Sequence, residues 1–335
     1  MNEKPYFSIV IPAFNREREV TRAIHSCLTQ DFRDFEICVV DDGSSDGTAQ
    51  AIERISDSRI RLVRHARNRG VCPARNSGVR VSSGAWIVFL DSDHELLPHC
   101  LTRIYRETLA ELAAVSRLGF MYEFDDGRIS PDPLPPNLKL GYREWLRWIQ
   151  FVKQSDALWV TRRSCFDTCM MPESFALEFS YNLDFSRHFV SRLVPERVAF
   201  QHTDSSARLT LFPVGDASTA RSRALDQADD WEHVLCAHGD TLRDLAPARH
   251  RAVLRGLSIC YAMADLRLKA AAAGILSVKA YPRSAACWLT IIVGLMGPAV
   301  ALWANAVSHR WRNRRTQRHG RSGLRTDGPR IAEAA

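Results

Sequence analysis

The amino-acid sequence predicts an α/β protein with a doubly wound, mostly parallel sheet and a helical C-terminal extension. Two observations lead to this prediction. The first hundred residues contain short apolar segments of strand length that alternate with helical patterns. Each apolar segment is followed by polar or turn-forming residues, as expected where parallel strands end at a ligand-binding edge. A chain of 335 residues, 46% of them hydrophobic, can bury a core of this size.

The individual elements follow in chain order. The predicted strands are residues 7–11, 35–40, 60–63 and 86–90. Val20, Ile24 and Cys27 recur at helical spacing after the first strand, and Ala51 and Ile52 do so after the second. Strands that alternate with helices imply right-handed crossovers between parallel neighbours.

Two aspartates, Asp91 and Asp93, follow the fourth predicted strand and are separated by a serine. If the strand continues to Asp93, both side chains point to the same side, because strand side chains alternate with a period of two. Two carboxylates on one side repel each other unless a cation lies between them or one is protonated. Mg²⁺ and Mn²⁺ prefer such oxygen ligands. The alternative is a polar loop that caps the next helix.

Several stretches together resemble the family 2 glycosyltransferases, which have the GT-A fold, a Rossmann-like architecture. They read SIVIPAFNRE, FEICVVDDGSSDGT, NRGVCPARNSGVRVSSGAWIVFLDSD and LLP, in the order and at about the spacing of that family. The resemblance is close over residues 6–100 and looser to about residue 210. It implies transfer of a sugar from a nucleoside diphosphate sugar, expected to be a UDP-sugar, with inversion and with Mg²⁺ or Mn²⁺ on the diphosphate.

The resemblance also implies roles for individual residues. The nucleotide-sugar would be bound by Pro12, Phe14, Asn15, Asp42, Arg75 and Asp91. Asp93 would be the direct metal ligand, with Asp91 beside it. A carboxylate at position 42 can accept a hydrogen bond from a uracil ring N–H, and Arg75 can offset diphosphate charge. The alternatives are that Asp42 only begins a turn and that Arg75 is a solvated helix residue.

The resemblance further implies a catalytic base in segment 170–189. The family has Glu-Asp before a helix, and this chain has Leu183-Asp184, so Asp184 is the predicted base, at a helix start where the dipole favours its ionised form. Glu178 is the second candidate and is predicted to lie in a strand or loop. His94 stands where the family often has an aspartate; it is interpreted as a loop residue, with a metal ligand as one alternative. His202 is a further candidate for the donor site.

The predicted domain organisation has three parts. A glycosyltransferase domain covers residues 1–215, with a nucleotide-sugar half at 6–105 and an acceptor and catalytic half at 106–215. A helical extension covers 216–280, and an apolar segment with a basic tail covers 281–335. In the acceptor half, Trp145 and Trp148 have the i, i+3 spacing of core residues, and stacking on an acceptor sugar is the alternative.

The net charge of +7 is concentrated at the C-terminal end, where eight arginines but only two acidic residues follow Ser308. The segment 285–307 before these arginines has no charged residue. This order predicts an anionic membrane surface as partner and no nucleic acid. We expect a re-entrant or surface-lying anchor, with a buried helix as the alternative. No signal peptide is apparent near Met1, so the expected location is the cytoplasm, at the inner face of the cytoplasmic membrane.

Other functional classes lack their sequence signatures. No Gly-rich phosphate loop or GxGxxG motif follows the first predicted strand, which disfavours nucleotidyltransferases and dinucleotide oxidoreductases. Nine scattered cysteines form no CxxC zinc motif and are expected to be reduced thiols, mostly in the core. The expected acceptor is a glycan or a lipid-linked glycan. A non-catalytic protein that binds sugar nucleotides, or a scaffold of the same fold, is the second functional hypothesis.

Overall fold

The computed structural model describes residues 4–110, 115–135, 138–152, 156–175, 178–202 and 217–302. The N-terminal half alternates strands and helices in this order: β1 (Phe7–Ala13), α1 (Glu17–Leu28), β2 (Phe35–Asp41), α2 (Thr48–Glu53), β3 (Ile60–Arg64), α3 (Val71–Val81) and β4 (Trp86–Phe89). The four predicted strands are therefore confirmed. They form a parallel block in the order β3-β2-β1-β4, in which Phe7 of β1 is opposite Phe35 on one side and Trp86 on the other.

The next part of the chain extends this sheet. Its elements are β5 (His94–Leu96), α4 (Cys100–Ala110), β6 (Arg117–Phe124), β7 (Ile129–Ser130), β8 (Lys139–Leu140), α5 (Tyr142–Ile149), β9 (Leu158–Arg162), a 3₁₀ helix (Arg163–Asp167), α6 (Glu178–His188) and β10 (Ser191–Gln201). The sheet continues from β4 through β9, β6 and β10 to β5. Strands β1 to β4, β6 and β10 point in one direction, whereas β9 and β5 are antiparallel to their neighbours. The predicted mostly parallel sheet is confirmed.

Helices cover both faces of the sheet, and the side chains of β1 show how. Ile9 and Ile11 belong to the core beneath α1, whereas Val10 belongs to the core on the opposite face, with residues of α3. All seven residues of β1 are buried, as expected for a strand covered on both sides. The α3 helix lies so close to β1 that a Cβ at Gly78 would be 2.4 Å from a methyl carbon of Val10. The sheet is therefore doubly wound, as predicted.

Aromatic residues of α5 belong to the second of these cores. Trp145 and Trp148 are 3% and 6% exposed, and their rings contact each other edge to face. Their prediction as core residues is confirmed. Eight of the nine cysteines are free and buried, and Cys236 is free and exposed.

A helical extension follows, as predicted, with α7 (Ala217–Leu245), α8 (Pro247–Met263), α9 (Arg267–Ala280) and α10 (Ala285–Met296). Small residues such as Ala270 and Ala273 let α8, α9 and α10 pack closely around their own core. Within the described residues, no helix combines the length and apolarity needed to cross a membrane. The segment 285–307 is helical to Met296, and its last five residues and the basic tail lie outside the described residues. The predicted domain boundaries stay predictions.

Several apolar side chains of α9 and α10 remain exposed. We call this set the C-terminal apolar face: Leu268, Ile275, Leu276, Trp288, Leu289, Ile292, Leu295 and Met296, each between 46% and 86% exposed. On α10 they recur at positions 288, 289, 292, 295 and 296, the spacing of one helix face. Surfaces of this kind usually mark contact with a partner or a lipid surface.

Candidate active site

The two aspartates after β4 lie in a turn. The strand ends at Phe89, and the backbone N–H of His94 donates a hydrogen bond to the carbonyl oxygen of Asp91 at 2.9 Å. The expectation that the strand continues to Asp93 is therefore wrong. The turn nevertheless brings a carboxylate oxygen of Asp91, one of Asp93 and a ring nitrogen of His94 within 4.8 Å of one another. We call these three residues the acidic cluster.

Arg75, from α3, connects the acidic cluster to α6. Its guanidinium donates to a carboxylate oxygen of Asp91 at 2.6 Å and forms an ion pair with Glu178. The Arg75 side chain is only 8% exposed, so it is not the solvated residue of the alternative interpretation. Burial alone would lower its pKa, but the charges of Glu178 and Asp91 outweigh burial and raise it. Burial likewise opposes ionisation of Asp91, yet Arg75 and His94 hold the pKa of Asp91 below its ordinary value.

His94 is buried and lies at the start of β5, opposite Gln201 of β10. Its ring contacts that of Tyr122, with 4.7 Å between centroids. Among the described residues, its Nε2 atom has no hydrogen-bond partner. A buried polar atom without a partner is costly unless a ligand or an ion satisfies it. The interpretation of His94 as a loop residue is wrong, because His94 is the first residue of β5, and its role stays a prediction.

Two further residues complete the surroundings of the acidic cluster. The backbone N–H of His202 donates to the carbonyl oxygen of Asp93 at 3.1 Å, and its Nε2 lies 2.6 Å from a carboxylate oxygen of Glu95. The pKa of Asp156 is raised to about 6 by desolvation and by the charges of Glu178 and Asp91, although the residue keeps an exposed face. Sequence reasoning found His202 but missed Asp156, which lies outside every recognised motif.

The residues predicted to line the nucleotide pocket lie at the ends of β1 and β2. Pro12 is buried in β1, and Phe14 is half-buried just beyond it. Asn15 has a positive φ of 53°, accepts a hydrogen bond from the Ser45 backbone N–H at 2.9 Å, and donates its own N–H to Ser44. Asn15 therefore joins the loops that follow the two strands.

Asp42 is already engaged by protein groups. Its carboxylate accepts hydrogen bonds from the backbone N–H groups of Arg69 and Gly70 at distances of 2.8 to 3.1 Å. It also lies 2.6 Å from Nδ1 of His65. Desolvation raises the pKa of Asp42 although these hydrogen bonds oppose the shift. The carboxylate fixes the loop before α3, and its predicted contact with the base stays a prediction.

The two candidate bases both lie on α6, but in different surroundings. Glu178 is in the first turn of this helix, so its assignment to a strand or loop is wrong. Asp184 is in the middle of the helix, so its predicted position at a helix start is wrong. Residues six apart in an α-helix are separated by about 9 Å along the axis and about 120° around it. Glu178 contacts Arg75, whereas Asp184 faces α7.

Two histidines of α7 bind the carboxylate of Asp184. His238 Nε2 lies 2.9 Å from Oδ1, and His233 Nε2 lies 2.9 Å from Oδ2. The other ring nitrogen of His238 lies 2.7 Å from the hydroxyl of Tyr142. Burial alone would raise the pKa of Asp184, but the hydrogen bonds from His238 and His233 outweigh burial and hold it below its ordinary value. We call Asp184, His233 and His238 the histidine cluster.

Comparison with protein families and curated proteins gives a consistent result. The profile described as glycosyl transferase family 2 matches residues 8–174. The succinoglycan biosynthesis protein ExoO of Rhizobium meliloti is 37% identical over 116 residues, which are 35% of this chain and 33% of ExoO. WfgD of Escherichia coli, a UDP-Glc:alpha-D-GlcNAc-diphosphoundecaprenol beta-1,3-glucosyltransferase, is 35% identical over 115 residues, 34% of this chain and 44% of WfgD. The chain thus matches less than half the length of these relatives.

Solved structures show the same fold over most of the chain. The crystal structure of TarS from S. aureus in complex with UDP-GlcNAc superposes with a TM-score of 0.57 at 16% identity, over 89% of this chain and 90% of that one. The mannosyltransferase PcManGT from Pyrobaculum calidifontis, in complex with GDP-Man and Mn²⁺, gives a TM-score of 0.50 at 17% identity, over 92% of this chain and 88% of PcManGT. At these identities the likeness establishes the fold alone.

Proposed function

Because the chain belongs to glycosyltransferase family 2, we propose that it transfers a sugar from a nucleoside diphosphate sugar to a glycan or lipid-linked acceptor, with inversion at the anomeric carbon. The donor is UDP-linked and the product belongs to a surface polysaccharide or a similar glycan. The names of relatives such as WfgD support this choice of donor and acceptor. The observation that carries the proposal is the acidic cluster, with Arg75 and Glu178 beside it, at the edge of the sheet where such folds bind ligands.

The residues of the acidic cluster fit Mg²⁺ or Mn²⁺. Asp91, Asp93 and Glu178 carry three negative charges against the single positive charge of Arg75, so a divalent cation would balance the remainder. Asp93 would be the direct ligand, and Asp91 would share its carboxylate between the ion and Arg75. The unpartnered buried nitrogen of His94 supports a third ligand. When bound, the ion would neutralise the charge that develops on the departing nucleoside diphosphate.

The protein groups around the ion have their own tasks. Arg75 adds a fixed positive charge close to the diphosphate, where two carboxylates orient its guanidinium. Phe14 and Asn15, which follow β1, would border the nucleotide. A carboxylate on the far side of the sugar removes the proton of the acceptor hydroxyl as that hydroxyl attacks the anomeric carbon.

For the base we propose Glu178 first and Asp184 second, which reverses the order expected from the sequence. Glu178 shares Arg75 with Asp91, so an acceptor hydroxyl held over the donor would come close to it. The Glu178 side chain is 34% exposed and can be reached by an acceptor. Both oxygens of Asp184 are bound by histidines. The role of either carboxylate remains a prediction.

The test is a combined binding and turnover assay on the full chain. A panel of nucleotide-sugars is screened by thermal shift with Mn²⁺ or with EDTA, and the hits are assayed for release of nucleoside diphosphate with and without glycan acceptors. We expect a UDP-sugar to stabilise the fold only when divalent metal is present, because a ligand that binds the native state raises its stability by mass action. Equal stabilisation in EDTA would contradict the proposed metal site. Binding without any release of UDP would favour the non-catalytic hypothesis.

We also propose that the C-terminal apolar face lies on the inner surface of the cytoplasmic membrane, with the basic tail on anionic headgroups. Helices that expose apolar side chains on one side bind in the lipid interface without crossing it. The indole N–H of Trp288 donates to the carbonyl oxygen of Pro282, so this ring keeps a fixed orientation at the face. The proposal is tested by sedimentation with anionic vesicles at low salt.

The matched variants for this test differ only in where the apolar residue is lost. Trp288→Ser should reduce the bound fraction, because Trp288 is 54% exposed and lies in the C-terminal apolar face. Phe151→Ser is the control, because Phe151 is 72% exposed but lies outside the C-terminal apolar face. Absence of vesicle binding by the unmodified chain, or an equal loss in both variants, would exclude this face as the membrane contact.

A further inference from the structure

The histidine cluster joins two helices that no local sequence pattern connects. Asp184 lies on α6, and His233 and His238 lie on α7, which begins the helical extension. One ligand atom of each residue lies within 4.8 Å of the other two. The cluster shares no residue with the acidic cluster, and the helical spacing separates Asp184 from Glu178. It is therefore a second place where the fold collects metal-binding groups.

The donor atoms differ in kind from those of the acidic cluster. Two imidazole nitrogens and one carboxylate oxygen suit Zn²⁺ and similar divalent transition metals, which commonly take three protein ligands and a water. The acidic cluster offers mainly oxygen atoms, which suit Mg²⁺ and Mn²⁺. The two sites should therefore be distinguishable by the metals that they prefer.

Burial and hydrogen bonding prepare His238 for metal binding. Its side chain is fully buried, and the hydroxyl of Tyr142 holds Nδ1 at 2.7 Å, so Nε2 points at Asp184. Metal-binding histidines usually have their second ring nitrogen held in this way. The side chains of Asp184 and His233 are 33% and 51% exposed, which leaves access for an ion and room for a water ligand.

Hydrogen bonds alone satisfy the cluster when no ion is bound, since each Nε2–H donates to one carboxylate oxygen. Metal binding needs both Nε2 lone pairs, so each imidazole must carry its proton on Nδ1 instead. For His238 this proton would be donated to the Tyr142 oxygen, and no proton has to leave the site.

We propose that the histidine cluster is a second metal site, of the Zn²⁺ class, that fastens α7 to α6. Metal–ligand distances of about 2.0 to 2.2 Å bring tetrahedral ligand atoms to roughly 3.3 Å from one another. Each histidine Nε2 lies 2.9 Å from an oxygen of Asp184, and the three ligand atoms lie within 4.8 Å of one another. Small side-chain movements would bring these atoms to the distances of a tetrahedral site. The site is independent of the proposed donor chemistry, because it uses none of the residues that would bind the nucleotide-sugar.

The test uses Co²⁺ as a coloured substitute for Zn²⁺ on the full-length, chelator-treated protein. We expect one equivalent of Co²⁺ to produce saturable visible absorption that one equivalent of Zn²⁺ removes, because Zn²⁺ competes for the same ligands. His233→Ala removes a half-exposed ligand at little risk to the fold, and should weaken this binding at least tenfold. Tyr142→Phe should weaken it by about tenfold or more, as is typical for groups that orient a metal-binding histidine.

Two control variants separate this site from others in the chain. His188→Ala removes an exposed histidine from the same helix as Asp184, and Asp93→Asn disables the acidic cluster. Both should keep the Co²⁺ absorption and the rise in melting temperature on addition of Zn²⁺, while His233→Ala should lose both. Loss of the absorption in Asp93→Asn with retention in His233→Ala would overturn the proposal. Absence of saturable Co²⁺ binding in the unmodified protein would overturn it as well.

Discussion

The first turn and the middle of α6 hold carboxylates in contrasting surroundings. In the first turn, Glu178 pairs with a permanently charged arginine that also binds Asp91. In the middle of the helix, Asp184 is bound by two histidines, whose charge depends on conditions. One helix therefore places the carboxylate of Glu178 beside a fixed positive charge and the carboxylate of Asp184 beside two imidazoles.

This difference teaches that the roles of the carboxylates depend on neighbours from distant parts of the chain. Arg75 reaches α6 from the helix after β3, and the histidines reach it from the C-terminal extension. The first site suits phosphate chemistry with a hard cation, and the second suits a softer metal or a hydrogen-bonded connection between helices. The following predictions test whether the two sites are as separate as their contacts indicate.

The largest expected effect is that of Asp93, the proposed metal ligand in the acidic cluster. Asp93→Asn should lower sugar transfer roughly a thousandfold, because an ion that stabilises a leaving group contributes several kcal/mol at about 1.4 kcal/mol per tenfold in rate. The measurement is release of nucleoside diphosphate at saturating Mn²⁺. Asp126→Asn, in the turn between β6 and β7, is the control and should be nearly neutral. Equal rates in the two variants would mean that Asp93 holds no catalytic ion.

The next effect distinguishes the two carboxylates of α6 directly. Glu178→Gln should reduce transfer by roughly a hundredfold or more, a typical contribution of a general base. Asp184→Asn should affect transfer less and should chiefly alter the histidine cluster. The two variants are compared in one transfer assay, and donor binding is checked separately by thermal shift. Collapse of turnover in Asp184→Asn with near-normal turnover in Glu178→Gln would restore the order expected from the sequence.

A third prediction concerns stability near the histidine cluster. Burial raises the pKa of Asp230 to about 6, despite a hydrogen bond from Gln227. The pKa of Asp230 in the folded state is above the unfolded value of 3.8, so the folded state binds the proton more tightly. The stability that results is fully present below pH 3.8 and is lost as the pH rises through about 6. Asp230→Asn stays neutral, so it should be more stable than the unmodified protein above pH 6, by up to about 3 kcal/mol.

Chemical denaturation in the presence of chelator, at pH 4 and at pH 8, measures this difference. The advantage of Asp230→Asn should disappear at pH 4, where both proteins carry a neutral group at this position. Asp229→Asn, at an exposed position of the same helix, controls for loss of an acidic residue as such. A constant difference at both pH values would show that Asp230 does not titrate in this range.

The sequence predicted the N-terminal half of the fold well because its information is local. Strands β1, β2 and β4 are runs of mostly apolar residues buried on both faces, whereas the edge strand β3 is partly exposed, and turn residues mark where the strands end. The position of β9 between β4 and β6 could not be predicted in this way. Its order in the sheet depends on pairing with strands far away in sequence, and no short pattern encodes such pairing.

The candidate site was predictable in its residues but not in its contacts. The Asp91 and Asp93 pair was recognised, but the backbone hydrogen bond that turns the chain there left no mark on the sequence. The start of α6 was missed because apolar residues alternate around Glu178, although Tyr181 and Phe185 have the spacing of a buried helix face. The pairing of Glu178 with Arg75 joins residues about a hundred positions apart.

The smallest expected effect is that of His94, and it tests whether the acidic cluster, like the histidine cluster, offers a nitrogen ligand. His94→Phe keeps a ring against Tyr122 but removes the buried nitrogen that has no partner among the described residues. An unsatisfied buried polar atom costs about 1–3 kcal/mol, so its removal should not destabilise the metal-free protein. If His94 is a metal ligand, the same change should weaken Mn²⁺ binding by about tenfold or more. Titration of Mn²⁺ followed by electron paramagnetic resonance measures the affinity, with the exposed His25→Phe as control. Unchanged Mn²⁺ affinity together with a less stable metal-free protein would mean that the ring serves packing alone, and the acidic cluster would then offer only oxygen ligands.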